Sequence, residues 1–190
     1  SWWWDHLINF EEWDWMAFID SDEFIMVPFG DSVKDALLAT GGDAVALNWK
    51  NFGPAHHEHD PEDTLLAYDK FSKHHAIKVV AKKEVMVRDH NDVMNAHLPP
   101  LVADAQLVNA MGKKLKHECY SAEEGYYQGL GNWDHIWINH YHIRSREDWF
   151  RKQATTAKSE MPWYWDEGHY AGCKGASEID TTAIQHKDRM

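Results

Sequence analysis

The chain predicts an α/β domain with a mixed sheet and flanking helices, and three stretches carry that expectation. Trp15–Ile19, Ala44–Trp49 and His135–Tyr141 are short apolar runs rich in aromatic and β-branched residues, with the length and composition of buried strands. Helix-like segments lie between them, and strands alternating with helices give α/β or mixed α+β architecture.

Each element follows from local signals. His6 to Trp13 suits the end of a helix leading into the first strand. Asp31-Ser32 offers an N-cap for a helix over Val33–Thr40, which Gly41-Gly42 ends. The second strand continues through Lys50-Asn51-Phe52 to a break at Gly53-Pro54. Ala55–Asp63, with His56, His57 and His59, is a polar loop; Thr64–Lys73 fits a helix with Leu65, Leu66, Tyr68 and Phe71 as its apolar positions. Ile77–Val80 and Glu84–Val87 are short β-like runs, His90–Pro100 is a loop, and Leu107–Ala110 before Gly112 makes a hairpin arm. A helix runs from Ser145 to about Ala157. Residues 161–190 are Gly-rich and polar, an extended tail or lid behind a domain spanning 1–160.

Composition narrows the function. A chain of 190 residues that is 44% apolar has enough for one real core. The formal charge of -12, from dispersed acids, argues against a nucleic-acid backbone or an anionic membrane as partner. An anionic substrate then needs a metal or a local basic patch. Cys119 and Cys173 make neither a CxxC pair nor a zinc spacing, which leaves two free thiols or one disulfide. No stretch reaches the roughly 18 apolar residues of a membrane span and no signal peptide is visible, so a cytoplasmic location is the expectation.

The most informative segment is Phe18-Ile19-Asp20-Ser21-Asp22-Glu23-Phe24-Ile25. Carboxylates leaving a strand sit at the carboxyl edge of a sheet, where open α/β folds place ligands. Asp20 and Asp22 can converge on one divalent cation, Mn²⁺ or Mg²⁺, as hard oxygen ligands. An EF-hand is disfavoured, because Ile25 occupies the position of its invariant Gly. Acidic triplets of this kind are commonly solvated turns or N-caps, so the motif needs support elsewhere in the chain.

His140-Tyr141-His142-Ile143-Arg144-Ser145 supplies it. In a strand His140 and His142 share a face, and neutral imidazole is a fitting third metal ligand beside two carboxylates. Arg144 suits a bidentate phosphate clamp, and Ser145 caps a helix whose N-terminal amides favour an anion.

Three blocks then occur in order: Trp15-x-x-Phe18-Ile19-Asp20-x-Asp22-Glu23-Phe24, Asn48-Trp49-x-x-Phe52-Gly53, and Ile138-Asn139-His140-Tyr141-x-x-Arg144-Ser145-x-x-Asp148-Trp149-x-x-Lys152. Together they resemble glycosyltransferase family 92, formerly a domain of unknown function, and its bacterial family-2-like relatives. The family patterns read W-x-x-F-x-D-x-D-E-F, W-x-x-F-G-x-x-G-H and I-x-H-Y-x-x-K-S-x-x-E-F-x-x-K. The resemblance implies a GT-A-like mixed sheet and metal-dependent transfer of a sugar from a nucleotide-diphosphate donor to a glycan or other hydroxyl acceptor. It places Asp20, Asp22 and His140 at the metal, and Lys78, Arg144, Ser145 and Lys152 at the donor phosphates. Trp49 and His57 fall on the acceptor side, and His97 matches a family His as candidate general base; Asp134, just before the His140 strand, is the other candidate by its position. Arg144 replaces a family Lys, Asp148-Trp149 replaces Glu-Phe, and His56 stands where the family has Gly.

Only nineteen residues precede Asp20, whereas a GT-A domain carries a β-α-β nucleotide-binding segment before its Asp-x-Asp. The chain is therefore expected to hold the C-terminal two-thirds of such a domain. Two other functions stay open: a metal-assisted hydrolase using Asp20, Asp22, His140 and His142, and a non-catalytic Trp-rich carbohydrate-binding module.

Overall fold

The computed structural model describes residues 13–54, 56–87, 97–116, 120–121, 126–127, 131–156 and 167–187. It is a mixed α/β structure whose sheet is organised by two long strands, β3 (Ala44–Phe52) and β4 (Lys70–Lys82), paired antiparallel. On the other edge of β3, β5 (Leu107–Asn109) and β8 (Trp137–His140) both run parallel to it, β5 beside its first half and β8 beside its second. Strand β2 (Glu23–Met26) lies antiparallel to β8 at the sheet edge. The far side of β4 takes β9 (Glu178–Ile179), β7 (Tyr126–Tyr127) and β1 (Trp15–Ala17) in turn, and β7 pairs with β6 (Tyr120–Ser121).

Alternation along β3 and β4 sorts two cores onto opposite faces. Val45, Leu47 and Val80 pack with Ile136, Ile138 and helix α1 (Val33–Ala39). Ala44, Ala46, Ile77 and Val79 pack against Val85, Met86 and Leu107. Ser32 caps α1 by accepting from the Asp35 amide, and Gly41 follows it at φ +69°, as the cap signals require.

Several elements differ from expectation. The helix expected over Thr64–Lys73 stops at Ala67, leaving a single turn, α2 (Thr64–Ala67), with Asp63 as its cap. Tyr68 is extended, and from Lys70 the chain belongs to β4, because Phe71 pairs with Phe52 and buries against Tyr68 and Tyr141. Glu84–Val87 is not a strand. It is a 3₁₀ turn over Lys83–Val85 followed by an isolated bridge from Met86 to Leu101, since the chain must leave the sheet to cover it. The helix expected over His6–Trp13 falls almost wholly outside the described residues, as does Cys119; Trp13 itself is irregular.

Helix α3 (Arg146–Thr156) follows β8 as expected. Residues 167–187, read from the sequence as an extended tail or lid, contain helix α4 (Glu167–Lys174), β9 and helix α5 (Thr182–Lys187). They are fastened to the sheet by the Lys50–Asp180 ion pair of 2.5 Å, with side-chain exposures of 9% and 6%. The Lys50 ammonium also lies 3.7 Å from the Trp137 ring centroid. Gly53 allows α4 to approach: a Cβ there would meet the Cys173 carbonyl oxygen at 1.9 Å. Among the described residues no helix is long and apolar enough to cross a membrane.

Candidate functional site

The turn after β1 carries Asp20 and Asp22, and it is fixed from both ends. The Glu23 amide donates to the Asp20 carbonyl, and the Tyr141 amide donates to the Asp22 carbonyl, which locks the turn to the end of β8. The β2–β8 register pairs Glu23 with His140. The parallel β3–β8 register pairs His140 with Asn51 and Ile138 with Trp49. Residues distant in sequence therefore meet because three neighbouring strands end together.

The two aspartates have different partners. Asp20 Oδ2 accepts from Lys78 Nζ at 2.9 Å, and the same ammonium lies 3.3 Å from Glu23 Oε2. Lys78 is 1% exposed and the Glu23 side chain is fully buried, whereas the Asp20 side chain is 66% exposed. Glu23 Oε2 also accepts from the Asp20 amide at 2.8 Å, while Oε1 has no hydrogen-bond partner among the described residues. Burial pushes the Glu23 carboxyl up to about 7, against the opposing pull of the Asp20 amide and Lys78.

Asp22 faces Lys152 and His140. Its Oδ2 accepts from Lys152 Nζ at 3.1 Å, and its Oδ1 lies 3.9 Å from His140 Nε2. Lys152 also donates to the His142 carbonyl. His140 Nδ1 donates to Asn51 Oδ1 at 3.0 Å, because an amide oxygen only accepts, so Nε2 carries the lone pair on the side of Asp22. Burial, assisted by the Lys152 charge, depresses His140 to about 3 and keeps it neutral. Burial likewise depresses His142 to about 3; its ring lies 5.2 Å from that of His140 and edge-on to His169 at 5.6 Å.

The donor set suits a divalent cation in part. Metal–ligand bonds to nitrogen and carboxylate oxygen are roughly 2.0–2.2 Å, so two ligands of one ion stand at most about 4.4 Å apart, when they lie opposite each other. Asp22 Oδ1 and His140 Nε2 fall within that span, and the imidazole has the neutral charge and tautomer a ligand needs. Asp20, held on Lys78, is the exposed third member. Among the described residues no three His, Cys, Asp or Glu side chains form a ready-made shell.

A polar cleft of about 140 Å³ opens beside Asp22, lined by Ser21, Phe24, Thr64, Arg144 and Lys152. It brings together three of the residues expected at the metal and phosphates. Arg144 is also engaged with Asp148 at 3.1 Å and approaches Asp60 at 3.6 Å. Lys78 lies at the floor beneath Asp20 and Glu23, not at the surface. Ser145 is fully buried; it donates to Asp60 Oδ1 at 2.5 Å and accepts from the Asp148 amide at 2.9 Å. The first amides of α3 are satisfied within the chain as well, Arg146 by the His57 carbonyl and Glu147 by the Glu58 carbonyl. The anion site expected at that helix start is therefore closed by the 57–58 loop.

Trp49 gathers three imidazoles, with ring centroids 4.3 Å to His140, 5.4 Å to His97 and 5.7 Å to His74. Its buried Nε1 has no acceptor among the described residues. His97 Nδ1 donates to the Ile77 carbonyl at 2.7 Å, which makes Nε2 its basic nitrogen. Burial holds its pKa below the ordinary value, and the charges of Lys78 and Asp20 are felt there. Asp134 is exposed in the turn before β8, where its charge acts on Lys50 and Lys73 instead. His57 packs edge-on to Tyr68 at 5.1 Å and its Nε2 donates to the Ala67 carbonyl, which fastens the loop that covers the start of α3. Asn51, Glu23 and His74 join the site without having been expected; alternation with Trp49 along β3 was the available signal for Asn51.

No protein-family model matches this chain, and no curated protein matches it.

Proposed function

We propose that this protein is a metal-dependent glycosyltransferase of the GT-A type that moves a sugar from a nucleotide-diphosphate donor to a glycan or other hydroxyl acceptor. The observation that carries the reading is the meeting of His140 and Lys152 on the two oxygens of Asp22, beside a cleft that Arg144 also enters. One carboxylate shared between a neutral imidazole and an ammonium suits a ligand that brings both a cation and phosphate oxygens.

Asp22 and His140 would hold the cation, with the exposed Asp20 carboxylate as the further oxygen donor. When bound, the cation neutralises charge on the departing diphosphate. Lys152 and Arg144 orient the phosphate oxygens, Lys152 as a point charge and Arg144 as a fork already positioned by Asp148. Lys78 fixes Asp20 and Glu23 from beneath, so that the turn is pre-set before the donor arrives. Trp49, half-covered among His74, His97 and His140, offers an aromatic surface to a sugar ring. His97 Nε2 takes the proton of the acceptor hydroxyl as its oxygen bonds the anomeric carbon and the diphosphate leaves with the bonding electrons.

A thermal-shift screen of UDP-, GDP- and CMP-sugars with and without Mn²⁺ tests the reading. Transfer predicts stabilisation by a nucleoside-diphosphate sugar only when Mn²⁺ is present. Stabilisation by free glycan alone identifies a carbohydrate-binding module, and no response to either nucleotide or glycan favours hydrolysis. Intact nucleotide-dependent stabilisation in Asp22→Ala removes the metal bridge.

A further inference from the structure

A second cleft, of about 210 Å³, opens where the chain leaving β3, the start of β4 and the end of α4 meet. Gly53 and His56 follow β3, Lys70 begins β4, and Cys173, Lys174 and Ala176 come from the end of α4 and the chain after it. The cleft is sealed where α4 packs on Gly53, whose missing side chain admits the Cys173 carbonyl.

The charge here runs against that of the chain. The sequence carries a formal charge of -12, yet the described residues lining this cleft include two lysines and a histidine. Strand β9 sets Ile179 opposite Lys70, and the carboxylate of the preceding Glu178 is taken by Lys73 at 2.8 Å. Among the described residues Lys70 makes no ion pair. The Lys174 ammonium lies 5.0 Å from the Tyr170 ring centroid, one turn back on the same helix, which holds it at the cleft. A helix C-terminus carries roughly half an elementary negative charge, which one ammonium more than offsets, so Lys70 is left for a ligand. His56 stacks on His57 with ring centroids 4.9 Å apart, and His57 is itself fastened to the Ala67 carbonyl. Three elements thus bring three N–H donors to one small space.

We infer that this cleft binds a phosphate dianion, free or carried on a small organic molecule, with both lysine ammoniums and an N–H of His56 on its oxygens. A phosphate monoester brings roughly 1.5 to 2 negative charges and three acceptor oxygens, enough for three donors; a carboxylate brings one charge and two oxygens. The three basic side chains are exposed, and solvent screens them, so half-saturation falls on the order of 1 mM. The inference is independent of the transferase reading, because none of these residues lines the Asp22 cleft.

Amide chemical shifts of the isotope-labelled chain, titrated at constant ionic strength with inorganic phosphate, phenyl phosphate and benzoate, test it. Saturable shifts are expected at Gly53, His56, Lys70, Lys174 and Gly175, with benzoate at least about tenfold weaker than phenyl phosphate. Phenyl phosphate binding more tightly than inorganic phosphate identifies the carried group as the ligand; equal or weaker binding identifies the free ion. The double variant Lys70→Gln, Lys174→Gln weakens phosphate at these amides about tenfold or more, and each single variant falls between it and the wild type. Arg144→Ala, which alters the other cleft, leaves these shifts unchanged. The inference is overturned if these amides show no saturable shift, if benzoate matches phenyl phosphate, if the folded single and double variants keep wild-type phosphate affinity, or if Arg144→Ala abolishes the response.

Discussion

Oδ1 of Asp22 stands 3.9 Å from Nε2 of His140, and the opposite nitrogen of that ring is tied to Asn51. Strand pairing makes this geometry. Glu23 faces His140 across β2 and β8, and His140 faces Asn51 across β8 and β3, so one imidazole is oriented by its neighbours on both sides.

Arg144 and Ser145 are adjacent in sequence yet separate in role. Arg144→Ala removes a cation from the cleft and is expected to weaken nucleoside-diphosphate binding roughly tenfold at moderate salt. Ser145→Ala removes the α3 cap and the Asp60 bond, and is expected to cost about 1–2 kcal/mol of stability with nucleotide affinity unchanged. Parallel denaturant melts and nucleotide titrations separate the two. Loss of affinity in a folded Ser145→Ala protein contradicts the assignment.

The Lys50–Asp180 pair is buried, and breaking it leaves an uncompensated charge. Lys50→Met is expected to destabilise by about 3–5 kcal/mol. Adding Asp180→Asn to it is expected to recover part of that loss, because the stranded charge is gone. Urea unfolding of the two single variants and the double variant measures the coupling, and strict additivity contradicts it.

Gly53 is required by a close approach rather than by its backbone angle. Gly53→Ala forces the α4 carbonyl of Cys173 outward and is expected to cost about 1–3 kcal/mol. Hydrogen exchange reads the change locally: amides of 167–174 lose protection while those of β3 and β4 keep theirs.

Acid titration separates opposing groups. His140 and His142 are depressed from 6.5 to about 3, so each contributes stability above pH 6.5 that is lost as pH falls toward 3. Glu23 is raised from 4.5 to about 7, so its contribution has the opposite sign, present below pH 4.5 and lost as pH rises through 7. Two imidazoles with larger shifts outweigh one carboxyl. Stability is therefore expected to fall between pH 6.5 and 4, by at most about 1.4 kcal/mol per pH unit for each histidine. His142→Gln makes that slope shallower, and an unchanged slope in chemical denaturation contradicts the assignment.

The strands around the site were legible because their cues are local. Ala44–Phe52 runs apolar up to Gly53-Pro54, and the apolar run at Ile136–Ile138 marked β8. Strand β4 was hidden in its first half, where Ser72, Lys73, His74 and His75 are all polar and exposed and carry no apolar alternation. Pairing with β3 imposes the strand there, overriding the helical spacing of Leu65, Tyr68 and Phe71. Among site residues, Asp22, His140, Arg144 and Lys152 were visible as motif positions and come together. The burial of Lys78 beneath Glu23 was not visible, since it depends on the register that sets Lys78 opposite Leu47. Ser145 showed itself as a cap, but the His57 and Glu58 carbonyls that close the helix start belong to a distant loop.

The proposed function requires Asp22 and His140 to hold one divalent cation between them. Electron spin-echo modulation of Mn²⁺ bound in the presence of UDP reads this contact itself, because a coordinated imidazole nitrogen modulates the echo. Nitrogen modulation from one imidazole is expected in the wild type, with its loss in His140→Gln and loss of the bound Mn²⁺ signal in Asp22→Ala. Bound Mn²⁺ with no nitrogen modulation, or modulation that survives His140→Gln, contradicts it.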